Sequence, residues 1–145
     1  MQFEIKVLKP GDEDVLNKVG TDVFDNAVDQ RTTKVFLADP WHHIVVAVEK
    51  GVVVGFVSAV NYLHPDKPVP VLWINEVGVA STHRGRGIGK ALMASMFQVG
   101  RKYGCAEAWL LTDRTNPVAM RLYASVGGKH ASQDQLLYRF GLNEG

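Results

Sequence analysis

A glycine-rich loop between a strand-like run and a helix-like run constrains this chain more than any other feature. The loop, His83 to Leu92 (HRGRGIGKAL), spaces three glycines at every second position and carries two arginines and a lysine. Glycine tolerates positive φ and lets a ligand approach the backbone closely. A helix N-terminus adds unpaired amides and the positive end of the helix dipole. The pattern therefore predicts a cradle for a phosphate-bearing ligand.

Two common phosphate motifs do not fit this loop. A P-loop requires a serine or threonine after Gly-Lys, but Ala91 follows Lys90, and Arg84 occupies the position of the first glycine. The dinucleotide pattern that starts at Gly85 requires a glycine where Lys90 stands. A nucleotide-binding loop of either kind is therefore disfavoured, and a turn that binds no ligand remains an alternative.

The bulk composition indicates one folded domain, expected over residues 1–145. Apolar residues make up 46% of the chain and charged residues 21%, and the net charge of +1 argues against a nucleic-acid partner. No apolar stretch has the length of a membrane span or a signal peptide. Cys105 is the single cysteine, and no cluster has metal-ligand spacing. These features predict a soluble cytoplasmic protein with neither a metal nor a membrane partner.

Charge is distributed unevenly along the sequence. Residues 1–30 contain seven acidic side chains and three lysines, whereas residues 77–106 contain no acidic side chain and five arginines or lysines. One end of the fold is therefore expected to meet a cation and the other an anion. The acids that could line a cleft for a cation are Asp22, Asp25, Asp29, Asp39 and Glu76.

Hydrophobic periodicity and turn signals predict alternating strands and helices. The expected elements are a strand over 3–8, one or two amphipathic helices within 12–38, a hairpin over 43–63, a loop over 64–70, strands over 71–79, 106–112 and 135–142, and helices from Ile88 to Tyr103 and from Asn116 to Val126. This order predicts a single-domain α/β fold.

Two separated motifs carry a resemblance to a known family. The first is Arg84-x-x-Gly87-x-Gly89, and the second is NPVAMRLYASVGG, with Asn116, Ala119, Leu122, Tyr123 and Gly127 at the matching positions. Together they resemble the Gcn5-related N-acetyltransferases, which acetylate amines from acetyl-CoA. The resemblance implies a mixed, mostly antiparallel central sheet flanked by helices, whose strands 71–79 and 106–112 part where acetyl-CoA enters.

The resemblance also implies roles for individual residues. The residues expected to bind acetyl-CoA are Val77, Gly78, Val79, Arg84, Gly85, Arg86, Gly87, Ile88, Gly89, Lys90, Asn116 and Tyr123. Tyr123 is expected to protonate the departing CoA thiolate as general acid, since a phenol with a pKa near 10 is a weak acid. An ordinary core aromatic at helical spacing is the alternative for Tyr123.

Glu76 is the expected general base for the incoming amine, with the alternative that it only positions the substrate by charge. Four histidines are weaker candidates for the base and are expected to be polar surface residues: His42, His43, His64 and His130. His83, just before the glycines, is expected to be structural.

The segment from Val53 to Leu92 is similar in layout to the aminoglycoside 3-N-acetyltransferase branch. That similarity implies a cationic acceptor, an aminoglycoside first, bound by Asp22, Asp25 and Glu76, with antibiotic resistance as the implied role. A homodimer is also expected. A polyamine, an amino acid or a protein amine would suit the same acids. A non-catalytic module that senses acetyl-CoA is the alternative from another functional class.

Overall fold

One five-stranded sheet, ordered β1-β2-β3-β4-β5, organises the residues that the computed structural model describes, 2–130 and 135–143. Strands β1 to β4 pair antiparallel, and β4 and β5 pair parallel. The elements are β1 (Glu4–Val7), α1 (Gln30–Ala38), β2 (His42–Glu49), β3 (Val52–His64), β4 (Lys67–Val79), α2 (Ile88–Lys102), β5 (Ala108–Trp109) and α3 (Pro117–Ser125). The expected mixed, mostly antiparallel α/β fold is confirmed.

Helix α2 covers one face of the sheet, here called the helical face. Its buried residues recur at helical spacing, as the amphipathic pattern requires: Ile88, Leu92, Met93, Met96 and Val99. They pack on alternate residues of the strands, with Leu72 of β4 directly beneath Gly100. The hydrophobic core therefore lies between α2 and the sheet.

The opposite side of the sheet, the front face, is covered unevenly. Phe24 stacks on Phe56 of β3 at 4.2 Å, and Phe36 of α1 stacks on His42 of β2 at 5.2 Å. Toward the end of β3 and the start of β4, the front-face residues are only partly buried. The residues between 20 and 38 thus leave part of this face exposed.

The predicted hairpin of β2 and β3 forms, and its turn uses positive φ at Lys50 and Gly51 (52° and 78°). The predicted loop over 64–70 is wrong. Strand β3 continues to His64 and β4 begins at Lys67, so Pro68 and Pro70 lie within a strand. A register shift between Tyr62 and His64 accommodates them, since proline is tolerated in sheets at such irregularities.

The polar N-terminal region forms one short 3-10 helix, Glu13–Asn17, and the longer helix α1. Asp29 caps α1 because its carboxylate accepts a hydrogen bond from the Thr32 amide at 2.8 Å. This cap gives Asp29 a structural contact, and Asp39 has one as well, because it accepts a 2.8 Å hydrogen bond from the Trp41 amide.

The two last predicted strands differ from the structure. The strand expected over 106–112 is reduced to Ala108–Trp109, and the strand expected over 135–142 is wrong, because this described segment carries no strand. A strand is stabilised by cross-strand pairs, and the two-residue β5 offers a very short ladder. The apolar side chains of the segment, such as Phe140 (80% exposed) and Leu142 (87% exposed), consequently face solvent.

Candidate functional site: a glycine cradle beside two parting strands

The glycine loop forms an open cradle at the start of α2. Gly85 and Gly87 have φ of 78° and 82°, and no atom lies within 4 Å of the position a Cβ would occupy at either glycine. Gly87 is the N-cap of α2, and no side chain caps the amides of the first turn. The backbone amides from Ile88 to Lys90 therefore remain available to an anion at the positive end of the helix dipole.

A carboxylate from a distant strand clamps the loop. Glu49, at the end of β2, has a side chain only 16% exposed, and its two oxygens contact His83 Nε2 at 2.9 Å and Arg86 Nη1 at 3.1 Å. The hydrogen bond from His83 holds the pKa of Glu49 below its ordinary value, although burial acts in the opposite direction. Glu49 thus ties the loop to the sheet and orients Arg86, one of the residues predicted to bind the cofactor.

Asp22 also contacts the start of the loop. Its carboxylate accepts a hydrogen bond from the Ser81 amide at 3.0 Å, and the hydrogen bonds from Ser81 lower the pKa of Asp22. Asp22 therefore makes a structural contact beside the cradle, and the acceptor-binding role predicted for it stays a prediction. Sequence reasoning missed both the clamp by Glu49 and the anchor by Asp22, since no local pattern links residues 34 or 59 positions apart.

The strands β4 and β5 part before β4 reaches the cradle. They pair at Leu72 with Ala108 and at Trp73 with Trp109, and β4 then continues to Val79 with β3 as its partner. Within the described residues, the β5 side of β4 therefore has backbone groups without a strand partner after Trp73. The predicted cofactor residues Val77, Gly78 and Val79 lie on this edge, where an extended ligand arm can hydrogen-bond to the strand.

Helix α3 packs against the N-terminal turn of α2. Asn116 caps it through a 3.1 Å hydrogen bond from the Ala119 amide, as the sequence predicts, so its side chain is engaged within the helix. A Cβ on Gly89 would lie 2.9 Å from Leu122 Cδ2, so the glycine allows this close helix contact. Tyr123, the next residue, is half-buried against the core. Burial raises the pKa of its phenol above 10, which keeps the proton on the hydroxyl at neutral pH.

Glu76 and Asp25 meet on the front face. Burial first, and then the charge and a hydrogen bond of Asp25, raise the pKa of Glu76 above its ordinary value. A raised pKa brings a carboxylate closer to the range in which it can accept a proton near neutral pH. Of the acids predicted to line one cleft, the structure brings these two together.

The histidines divide between the surface and the core. His43 is buried (7% exposed) and bonded to Asn61 at 2.5 Å, so the surface position predicted for it is wrong. Burial lowers its pKa. His42 and His64 lie at the surface beside Asp39 and Asp66, and His130 is exposed. His83 binds Glu49, in agreement with the structural role predicted for it.

The chain belongs to the acetyltransferase (GNAT) family, whose family model matches residues 15–127. It is 35% identical over 95 residues to N-acetyltransferase 8 of Rattus norvegicus, a match covering 66% of this chain and 43% of the rat protein. It is 26% identical over 145 residues to the D-amino-acid N-acetyltransferase of Saccharomyces cerevisiae, a match covering 93% of this chain and 88% of the yeast protein. This chain therefore spans less than half of the rat protein.

Solved structures share the fold over nearly the whole chain. An aminoglycoside acetyltransferase from an uncultured soil metagenomic sample superposes with a TM-score of 0.82 at 21% identity, covering 99% of this chain and 100% of that one. An aminoglycoside N-acetyltransferase in complex with CoA superposes with a TM-score of 0.75 at 20% identity, covering 95% and 94%. At these identities the likeness establishes the fold.

None of the helices within residues 2–130 and 135–143 has both the length and the apolar composition that a membrane span requires.

Proposed function

We propose that this protein transfers the acetyl group of acetyl-CoA to a primary amine of a cationic small molecule, with an aminoglycoside as the leading acceptor. The observation that carries the proposal is the uncapped glycine cradle at the start of α2, which follows the strand that parts from β5 after Trp73. In this arrangement the pyrophosphate lies on the amides of residues 84–90. The pantetheine arm runs along Val77–Val79 and the thioester lies between the parting strands.

The proposed reaction is a direct attack that needs one base and one acid. Glu76 accepts a proton from the ammonium group of the acceptor, directly or through a water molecule. The free amine nitrogen attacks the thioester carbonyl and the C–S bond breaks, which leaves the acetyl group on nitrogen. The nitrogen then loses its excess proton to solvent and becomes a neutral amide. Tyr123 donates its phenolic proton to the departing thiolate of CoA. Solvent then protonates the phenolate and takes the proton from Glu76, which restores both groups for the next cycle.

The charges of the two sides support a cationic acceptor. Glu76 and Asp25 lie together on the front face, whereas Arg84, Arg86 and Lys90 belong to the cradle. Opposite local charge would attract an ammonium to the first region and a pyrophosphate to the second. The aminoglycoside acetyltransferases that share the fold agree with this choice of acceptor. The similarity to the yeast enzyme keeps an amino acid as the second candidate.

The proposal is tested by thiol release from acetyl-CoA on addition of single amines: an aminoglycoside, a linear polyamine, a D-amino acid and a neutral amine. Amine-dependent release with the polycations, together with a product one acetyl group heavier, is expected. Attraction between exposed charges is screened with a Debye length of about 8 Å at physiological salt, so the KM for the amine should rise with ionic strength. Binding of acetyl-CoA without amine-dependent release would favour the sensor module.

We also propose that the protein acts in the cytoplasm, with antibiotic resistance as its role, and that two copies associate.

The proposed association involves segment 135–142. If this segment is extended, Leu136, Tyr138, Phe140 and Leu142 share one side of it, and all four are at least 74% exposed. Beside β5 lies a cleft of about 270 Å³ whose lining includes Phe97, Cys105 and Val126. If segment 135–142 of each copy binds along β5 of the other, the apolar side of the segment and the cleft beside β5 are both covered in the same way in the two copies, as a two-fold dimer requires.

A further inference from the structure

Three aromatic side chains on the front face form a cluster, here called the aromatic platform (Tyr62, Trp73 and Trp109). The indole rings of Trp73 and Trp109 are nearly parallel, at 7°, with centroids 5.3 Å apart. Trp109 Nε1 donates a hydrogen bond to the Tyr62 hydroxyl at 3.0 Å. The polar atom of this indole is thus satisfied inside the platform, which leaves its apolar surface for contacts with other molecules.

The platform is open to solvent. Trp73 is 37% exposed and Trp109 is 36% exposed, although tryptophan is mostly buried in folded proteins. Cross-strand packing explains why the two rings touch, because Trp73 and Trp109 are direct partners in the parallel ladder. It does not explain why the sheet leaves so much aromatic surface uncovered. An apolar patch rimmed by polar groups is typical of a binding site.

The platform lies on the same face as Glu76 and Asp25 and close to the parting strands. Tyr62, Val60 and Ser58 alternate along β3 on the front face, and in the adjacent strand Val60 pairs with Trp73 and Ser58 with Glu76. Trp73 and Trp109 are also the last residues that pair before β4 and β5 part. A molecule that binds Glu76 with one amine and extends along β4 toward Trp73 therefore meets the platform.

Aromatic faces and carboxylates together define the chemistry of the ligand. An indole face attracts a cation through its quadrupole, and it also packs against the apolar face of a ring. The outer face of two stacked indoles is a flat apolar surface against which the face of a cyclic group can pack, whereas a linear chain has no such face. The platform thus favours a ring that carries ammonium groups.

We propose that the aromatic platform is a second acceptor subsite, which takes an amine-bearing ring of a polycationic acceptor while Glu76 and Asp25 face the reacting amine. This inference rests on the proposed acetyl transfer to a cationic amine, and it selects an amino sugar over a linear polyamine. The subsite contributes to binding of the acceptor and takes no part in proton transfer. Its loss should therefore change the KM for a cyclic acceptor and leave the KM for acetyl-CoA unchanged.

The test compares neamine, a cyclic amino sugar, with spermidine, a linear polyamine. In a Trp109→Leu variant with wild-type circular dichroism, the KM for neamine should rise on the order of tenfold, the scale of a lost cation–π contact. The kcat with neamine and the KM for spermidine should stay within about twofold of wild type, a change small against that loss. Trp109→Phe, which keeps an aromatic face, should recover part of the affinity. An unchanged KM for neamine, or an equal loss for spermidine, would overturn the proposal.

A second measurement reads the platform without turnover. The chain has three tryptophans, and Trp41 lies outside the site on the loop before β2, so a Trp41→Phe variant reports on Trp73 and Trp109 alone. Neamine without acetyl-CoA should change the indole emission with saturation, and spermidine should not. No saturable change with neamine would contradict the subsite. If no amine releases thiol from acetyl-CoA but neamine still changes the emission, the acetyl-transfer proposal fails and the subsite stands.

Discussion

Of the two residues predicted for catalysis, Glu76 is the one whose pKa is shifted by a neighbouring side chain as well as by burial. Its pKa is raised by burial and then by Asp25, so its carboxylate is protonated at a pH at which an ordinary glutamate is already ionised. The base must be deprotonated to act, and activity should therefore rise as the pH increases through this raised pKa. We expect kcat/KM for the amine to show an acid limb above the pH of an unperturbed glutamate.

Two variants test whether the ionisation of Glu76 causes this acid limb of the pH profile. Asp25→Asn removes the neighbouring negative charge, lowers the pKa of Glu76 and should move the limb to lower pH. Glu76→Gln should abolish the limb and most of the activity. The control Asp14→Asn changes a carboxylate elsewhere on the surface and should leave the profile unchanged. An acid limb that stays in place in Asp25→Asn would assign the titration to another group.

Tyr123 is the second residue whose proposed role is open to a direct test. Tyr123→Phe removes the hydroxyl and keeps the half-buried ring against the core. Loss of a general acid costs on the order of 10²–10⁴-fold in turnover, so kcat should fall strongly while acetyl-CoA binds nearly as before. Full turnover in Tyr123→Phe with a good acceptor would make this residue a core aromatic and nothing more.

At the scale of elements, close packing against the cofactor strand depends on Gly78. A Cβ there would lie 2.6 Å from the Val23 carbonyl oxygen and 2.8 Å from Phe56 Cε1. Overpacking of this kind typically costs about 1–3 kcal/mol, and Gly78→Ala should lower the free energy of unfolding by that amount. Gly141→Ala, where no atom lies within 4 Å, is the control and should be neutral. Equal stability of both variants in urea unfolding would contradict this packing.

Local patterns predicted the elements that are stabilised locally. The spacing of apolar residues gave α2, the Asn-Pro pair gave the start of α3, and the β-branched runs gave the hairpin of β2 and β3. The glycine loop was also predictable, because Gly85 and Gly87 adopt positive φ angles that glycine tolerates better than other residues. The length of β4 was not, because register with β3 extends it through two prolines.

The missed features of the site all depend on contacts between distant residues. The clamp by Glu49 and the platform of Trp73 and Trp109 form only when strands from separate parts of the chain come together. Asp22 shows the same limit, because its sequence pattern does not reveal that Ser81 is its partner. The strand expected over 135–142 has a strand-like sequence but lacks a partner strand in the described chain.

At the scale of the whole molecule, the exposed segment 135–142 leads to a prediction about assembly. If a second copy covers its apolar side, the protein should sediment with twice the mass of one chain. Phe140→Asp places a charge on that side and should shift the equilibrium to the monomer, whereas Gln135→Asp, on the other side of the extended segment, should not. A wild-type monomer at all concentrations, or equal effects of the two variants, would exclude this mode of association.

The account depends most on the glycine cradle, and calorimetric titration of acetyl-CoA into two matched variants tests it most directly. Gly87 and Gly104 lie at opposite ends of α2 with φ of 82° and 83°, and neither has an atom within 4 Å of a Cβ position. Aspartate at either position causes the same backbone strain, but only Asp at 87 opposes a pyrophosphate. Gly87→Asp should weaken acetyl-CoA binding on the order of tenfold or more, the loss of charged hydrogen bonds, while Gly104→Asp binds like wild type. Wild-type affinity in a folded Gly87→Asp variant would contradict the cradle and the function built on it.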